Sequence, residues 1–329
     1  MGERKQSNTP YDDVFRTLLN DCSNLIIPVI NEVFGETYTG EEKIRFSVNE
    51  HFLNQQDGDM QERITDTCFQ IIGKESKKYH MECQSSSDHS MLIRFFEYDT
   101  QIALDDGEIR GNVLTVTFPH SAVLYLRSRE STPENLEVRM NTPGGSVAYD
   151  IPVMKVGIYT TKDLFEKNLL FLIPFYIFSH EERFERYEKD GKELRALKEE
   201  YAGIRSGLEK LQESGEISEY AKCTIIDMAG KVLEHIAKKY ETVREGVRDV
   251  MGGRILEYEA KTIREEGRKE GREQGKEEGR EQGREEGREE GIRGMVSVLK
   301  ELGIPYHIIQ EKIREQYHLS AEASEKYLL

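Results

Sequence analysis

The chain has 329 residues, 37% of them hydrophobic and 33% charged, a balance that supports one sizeable core with a highly polar remainder: two domains, or one domain and an extended tail. A formal net charge of −16 excludes broad, non-specific attraction to nucleic acid, so any nucleic-acid site must be local and must offset the field with a metal ion or a small basic patch. The longest apolar run, residues 169–178, contains Pro174 and is far short of the roughly 20 residues needed to span a bilayer, and the opening MGERKQSNTP lacks the apolar segment of a secretory signal, so a soluble, cytoplasmic protein without a membrane partner is expected.

In chain order, residues 12–34 read as helical. Val14, Phe15, Leu18 and Leu19 share one face, Leu25, Ile26, Val29, Ile30 and Val33 repeat the spacing, Pro28 starts or kinks the second helix and Gly35 closes it. Residues 43–51 are a candidate strand, NQQDGD a loop, 64–72 a strand, GKESK a turn and 78–84 the returning strand. A helix is predicted over 88–104, with Leu92, Phe95, Phe96, Ile102 and Ala103 on its apolar face. Strands follow at 113–118, 122–127 and 154–159, with NTPGG as a turn. This order suits a mixed α/β sheet flanked by helices over 11–180. Cys22, Cys68, Cys83 and Cys223 form no C-x-x-C pair and no zinc framework, and read as free buried thiols of a reducing compartment.

Beyond Phe178 charge dominates. Residues 181–263 form a charged helical region, and 264–291 a low-complexity Glu-Gly-Arg repeat with glycine at every fourth position from Gly267 to Gly291. Each glycine costs an isolated helix about 1 kcal/mol relative to alanine. Pairs such as Glu265–Arg268 and Glu277–Arg280 return only about 0.2–0.5 kcal/mol each. The repeat is therefore either a flexible spacer or, through its ridge of small residues, an oligomerisation element; a homo-oligomer is expected. Residues 292–329 read as a small helical unit with Ser320 as a helix cap. Its last helix offers one basic residue, so a packing or protein-contact role is expected there rather than DNA reading.

Chemistry concentrates in the hairpin. A turn centred near Lys74 places Asp66, in RITDTCFQII, opposite Glu82, in KYHMECQ, with their side chains on one face of the sheet; Gln84 shares that face. Paired carboxylates repel unless a positive charge lies between them, and a hard cation such as Mg²⁺ is a usual solution. It would polarise a phosphodiester and lower the pKa of an attacking water, which Gln84 could orient. The plain alternative is that these acids occupy the solvent face of a hairpin. Arg94, Tyr98 and Gln101 share one face of the following helix; Arg94 either contacts phosphate, neutralises Glu82 or faces solvent. His80 and His89 lack partners at ligand spacing and read as surface histidines.

Asp12-x-x-Phe15-Arg16, Ile64-Thr65-Asp66, Met81-Glu82-Cys83-Gln84 and Arg94-x-x-x-Tyr98 occur in that order, ahead of a Glu-Gly-rich repeat and a short helical unit. This combination resembles the Rpn (YhgA-like) family of PD-(D/E)XK nucleases, recombination-promoting enzymes often labelled putative transposases. The resemblance implies a restriction-endonuclease-like mixed sheet flanked by helices over residues 11–180, Mg²⁺-dependent cleavage of DNA with Mn²⁺ as a substitute, Asp66 and Glu82 as metal ligands, Gln84 at the position of the superfamily lysine, Asp12 as an accessory acid, and Arg94 and Tyr98 toward substrate. No proline precedes Asp66, and Gln84 carries no charge; Lys77 or Lys78 is a candidate to supply it. The alternative function is a catalytically inactive domain of this fold, used for interaction or regulation and assembled through the tail.

Overall fold

Tyr11, Val14, Phe15, Leu18 and Leu19 recur at helical spacing and all are buried, which makes Pro10–Asp21 an amphipathic helix, α1. A 3-10 turn over Ser23–Ile26 leads into α2, Ile27–Phe34, where Pro28 sits in the first turn and Gly35 ends the helix at φ 66°. In the computed structural model of the chain, the described residues are 10–46, 50–54, 60–64, 67–73, 75–86, 90–252, 262–263, 269, 276, 280, 284, 287–289, 291–317 and 319–327, with backbone alone at 50–54, 60–64 and 321.

Ten strands form three sheets among these residues. The main sheet has six, in the order β1 (Lys43–Phe46), β4 (Cys68–Ile72), β5 (Lys77–Gln84), β8 (His120–Tyr125), β10 (Gly145–Lys155) and β9 (Asn135–Thr142). β2 (Glu50–Asn54) pairs with β3 (Met60–Ile64), and β6 (Glu108–Arg110) with β7 (Val113–Thr115), as separate two-stranded ribbons. β1, β4 and β5 are antiparallel neighbours, β5, β8 and β10 run parallel, and β9 returns antiparallel along β10. β4 and β5 pair Cys68 with His80 and Ile71 with Lys77, the register expected from the sequence. Between β5 and β8 lies α3, Ser90–Asp105.

Alternation along the strands gives the sheet two different faces. Tyr79, Met81, Cys83, Ala122, Leu124 and Met154 join α1, α2 and the helical turns over Leu170–Arg183 in the larger core. Val123, Tyr125, Ile151 and Val153 meet Met91 and Phe95 of α3 in a smaller one. After α4 (Thr161–Glu166) and α5 (Phe184–Lys189), the charged helices α6 (Gly191–Glu213), α7 (Glu219–Ile236) and α8 (Glu241–Met251) bury Leu197, Tyr201, Ile204, Ile225, Val232 and Val247 in the larger core. That core therefore spans one compact unit, Met1–Arg264. In the second unit, Glu265–Leu329, Ile292, Val296, Ile309 and Ile313 form a small cluster of their own, and Ser320 caps Ala321–Glu325 by accepting from the Ala323 N–H at 3.1 Å.

Five expectations are corrected. The strand predicted over 64–72 is not one strand: Ile64 ends β3, Thr67 lies in a turn and β4 begins at Cys68. The strand at 113–118 shrinks to β7, whose only pairing partner among the described residues is the short exposed β6. The strand predicted over 154–159 ends at Lys155 and passes into a 3-10 turn, Val156–Ile158. β9 had no counterpart in the sequence reading. Phe96, assigned to the inner face of α3, is 39% exposed, whereas Asp99 is fully buried. All four cysteines are free and buried, as expected, and no helix among the described residues is long and apolar enough to cross a membrane.

Candidate functional site

The even-numbered residues at the end of β5 point toward α3. The ring of His80 lies edge-on to Phe95, at 5.1 Å between centroids, and 5.9 Å from Tyr98. It is completely buried, so the reading of His80 as a surface histidine is corrected: the polar face of this strand is roofed by a helix, not by water. The partner that makes burial tolerable is Asp99, also at 0% exposure. Its Oδ1 accepts from the Ser121 hydroxyl at 2.7 Å and faces His80 Nδ1 at 2.7 Å, and its Oδ2 accepts from the Tyr149 hydroxyl at 3.0 Å. With Asp99 serving as acceptor throughout, Nδ1 carries the proton and Nε2 is directed at Glu82 Oε1, 3.3 Å away. The result is a chain running from Asp99 through His80 to Glu82.

Charge in this chain is shared. Burial pushes the His80 imidazole down, but its hydrogen bonds to Asp99 and Glu82 and their negative charges overcome that, and it is pushed up to about 9. Burial likewise pushes the Glu82 carboxyl up. The hydrogen bond and charge of His80, followed by the guanidinium groups of Arg94 and Arg16, more than reverse this and hold it below the usual carboxylate range. Glu82 keeps 16% of its side chain exposed, whereas His80 and Asp99 have none.

The structure gathers several of the sequence candidates here. Arg94 of α3 and Arg16 of α1 both act on Glu82. Arg94 donates from Nη2 to Met91 Sδ at 3.2 Å, while its buried Nε has no hydrogen-bond partner among the described residues. On the other face of β5, burial, then the charges of Asp12 and Glu82, raise the Cys83 thiol, which places Asp12 close to the same strand end. Gln84 is half-buried and opposite Tyr125, its carbonyl accepting from the Leu126 N–H at 2.9 Å. Tyr98 contacts His80 through its ring. Asp66 and His89 lie outside the described residues. Lys77 and Lys78 are engaged elsewhere, Lys77 with Glu36 at 2.6 Å and Lys78 with Asp106, so neither supplies the charge that Gln84 lacks. Among the described residues no group of three His, Cys, Asp or Glu side chains could hold a metal ion.

Sequence reasoning missed Asp99, Ser121 and Tyr149. The signal for Asp99 was present: it falls on the stripe Met91, Phe95, Ile102 at helical spacing, and a carboxylate on an apolar stripe demands a buried partner. Ser121 and Tyr149 carry no comparable signal, because they reach Asp99 only through the β5–β8–β10 pairing.

Set against protein-family models, curated proteins and solved structures, the chain matches none of them.

Proposed function

We propose that this chain is a metal-dependent DNA endonuclease of the PD-(D/E)XK type, akin to the Rpn (YhgA-like) nucleases, with a restriction-endonuclease-like sheet and its site at the end of β5. The observation that carries this reading is Glu82: a carboxylate held ionised, partly open to solvent, beside an Arg94 whose buried Nε has no hydrogen-bond partner among the described residues. A buried donor without a partner costs about 1–3 kcal/mol, and a phosphate oxygen is the acceptor that would satisfy it.

The donor chemistry suits Mg²⁺ or Mn²⁺. Glu82 offers a charged oxygen and Gln84 an amide oxygen on the same strand face, and Mg²⁺ binds through one or two carboxylates while keeping several waters. Asp66 is the second carboxylate in this reading. When bound, the cation would polarise the phosphodiester and lower the pKa of a neighbouring water. The remaining work falls to side chains. Gln84 orients the attacking water, Arg94 holds the phosphate, Tyr98 borders the substrate, Asp12 is an accessory acid, and the Asp99–His80 pair fixes the direction of Glu82.

One observation favours a second reading. His80, Arg94 and Arg16 already supply Glu82 with positive charge, which is the role a cation would take. On that reading the domain is catalytically inactive and serves interaction or regulation. Incubation of the full chain with supercoiled plasmid and Mg²⁺ or Mn²⁺ separates the two. The nuclease reading expects metal-dependent nicking that Asp66→Ala and Glu82→Gln each lower at least about 100-fold, in the range of losing one essential stabilising group. Equal, metal-independent backgrounds in wild type and both variants would leave only the second reading.

A further inference from the structure

The two edges of the main sheet are built differently. β1 is four residues long and carries Lys43 and Arg45, a short, charged edge of the kind that discourages further pairing. β9 is twice as long, contains neither lysine nor proline, and is flanked by Pro133 and Pro143. Its inner edge pairs with β10 over its full length, from Asn135 opposite Pro152 to Thr142 opposite Gly145. Among the described residues no strand pairs with its outer edge. An edge of this length with no partner strand among the described residues is a template for another strand.

The sequence of β9 identifies that strand. Asn135-Leu136-Glu137-Val138-Arg139-Met140-Asn141 is complementary to itself when read antiparallel about Val138. Asn135 then faces Asn141 of the second copy, Leu136 faces Met140, Glu137 faces Arg139, and Val138 faces its own counterpart. Leu136, Val138 and Met140 share one face and are half-buried, with Leu136 and Val138 packed against the α3 core. Glu137 and Arg139 occupy the opposite, exposed face, where within one chain they pair at 2.6 Å. Moving the two-fold centre by one residue in either direction, a register shift of two, sets Glu137 against its own copy or Arg139 against its own copy, and directly opposed like charges destabilise a strand pair. The charges thus discriminate for the two-fold register centred on Val138.

We infer that β9 is a dimerisation edge: two copies of this chain join antiparallel through β9, continuing the six-stranded sheet of each into one sheet across a two-fold axis. This is a self-complementary interface of the isologous kind, and it stands apart from the catalytic reading.

The test uses the full chain. Wild type sediments as a dimer. Glu137→Arg and Arg139→Glu each create two symmetry-related like-charge contacts and raise the apparent dissociation constant about tenfold or more. An equimolar mixture of these two variants recovers the dimer as a heterodimer. Because both side chains are exposed, neither change threatens folding. Independently, Val138→Cys cross-links to itself on mild oxidation, since opposed residues in an antiparallel pair have Cα atoms about 4.5–5.5 Å apart. Asn141→Cys does not, being separated from its copy by roughly 20 Å in this register. The four native cysteines are buried and give little background. A monomeric wild type overturns the inference. So does a dimer that is indifferent to both charge reversals and to the position of the introduced cysteine, because it would be held by another surface.

Discussion

The two faces of β5 solve the problem of burial in opposite ways. Tyr79, Met81 and Cys83 on one face are apolar or weakly polar and pack into the larger core, where any shape of about the right volume would serve. His80 and Glu82 on the other face are ionisable and meet α3, and they are tolerated only because Asp99, Ser121, Tyr149, Arg94 and Arg16 arrive from other elements to satisfy them. Apolar burial is supplied by composition, whereas polar burial demands specific partners. Within this network His80 and Asp99 are fully buried, whereas Glu82 keeps part of its side chain exposed.

The comparison breaks most readily at Asp99. Asp99→Ala removes the acceptor of three hydrogen bonds and strands His80, and is expected to cost about 3–5 kcal/mol in denaturant unfolding. A cost below 1 kcal/mol would mean that the polar face does not depend on its partners. Met81→Ala on the apolar face is expected to cost roughly 3 kcal/mol, by lost burial and the cavity left behind. Ser121→Ala removes one donor while leaving the acceptor served by two others, and an expected loss of about 1–2 kcal/mol places it below both.

A last effect is a matter of pH. His80 titrates near 9 in the folded chain against an ordinary 6.5, so its contribution to stability is fully present below about pH 6.5 and is lost as pH rises through 9. The groups facing it are Asp99 and Glu82, with Arg94 and Arg16 beyond Glu82. Glu82 is shifted the other way, so its contribution is present above its ordinary 4.5 and is lost as pH falls through its lower folded value. Unfolding midpoints of wild type and His80→Gln should therefore converge between pH 6.5 and 9. A constant gap across that window would show that His80 acts through packing rather than charge.

The same contrast explains what could be read in advance. The β4–β5 register, the helix α3 and the Ser320-capped helix near the C-terminus were legible because alternation, helical spacing and cap residues are local signals. β9 was not, because Asn, Glu and Arg make an exposed edge strand look like a loop. The run Val113–Phe118 misled in the other direction: its β-branched residues favour a strand, but it meets only three residues of β6. Around Glu82 the structure places Arg94, Asp12 and Tyr98, which motif order had picked out; the partners Ser121 and Tyr149 of Asp99 depend on long-range strand pairing that no local pattern announces.

The most direct test of the central claim is metal occupancy at Glu82. Crystals of the full chain soaked in Mn²⁺ should show an anomalous peak about 2.1 Å from a Glu82 carboxylate oxygen, shared with Asp66 and absent in Glu82→Gln. A Glu82 that keeps His80 as its partner, with no peak beside it at saturating Mn²⁺, would contradict the account.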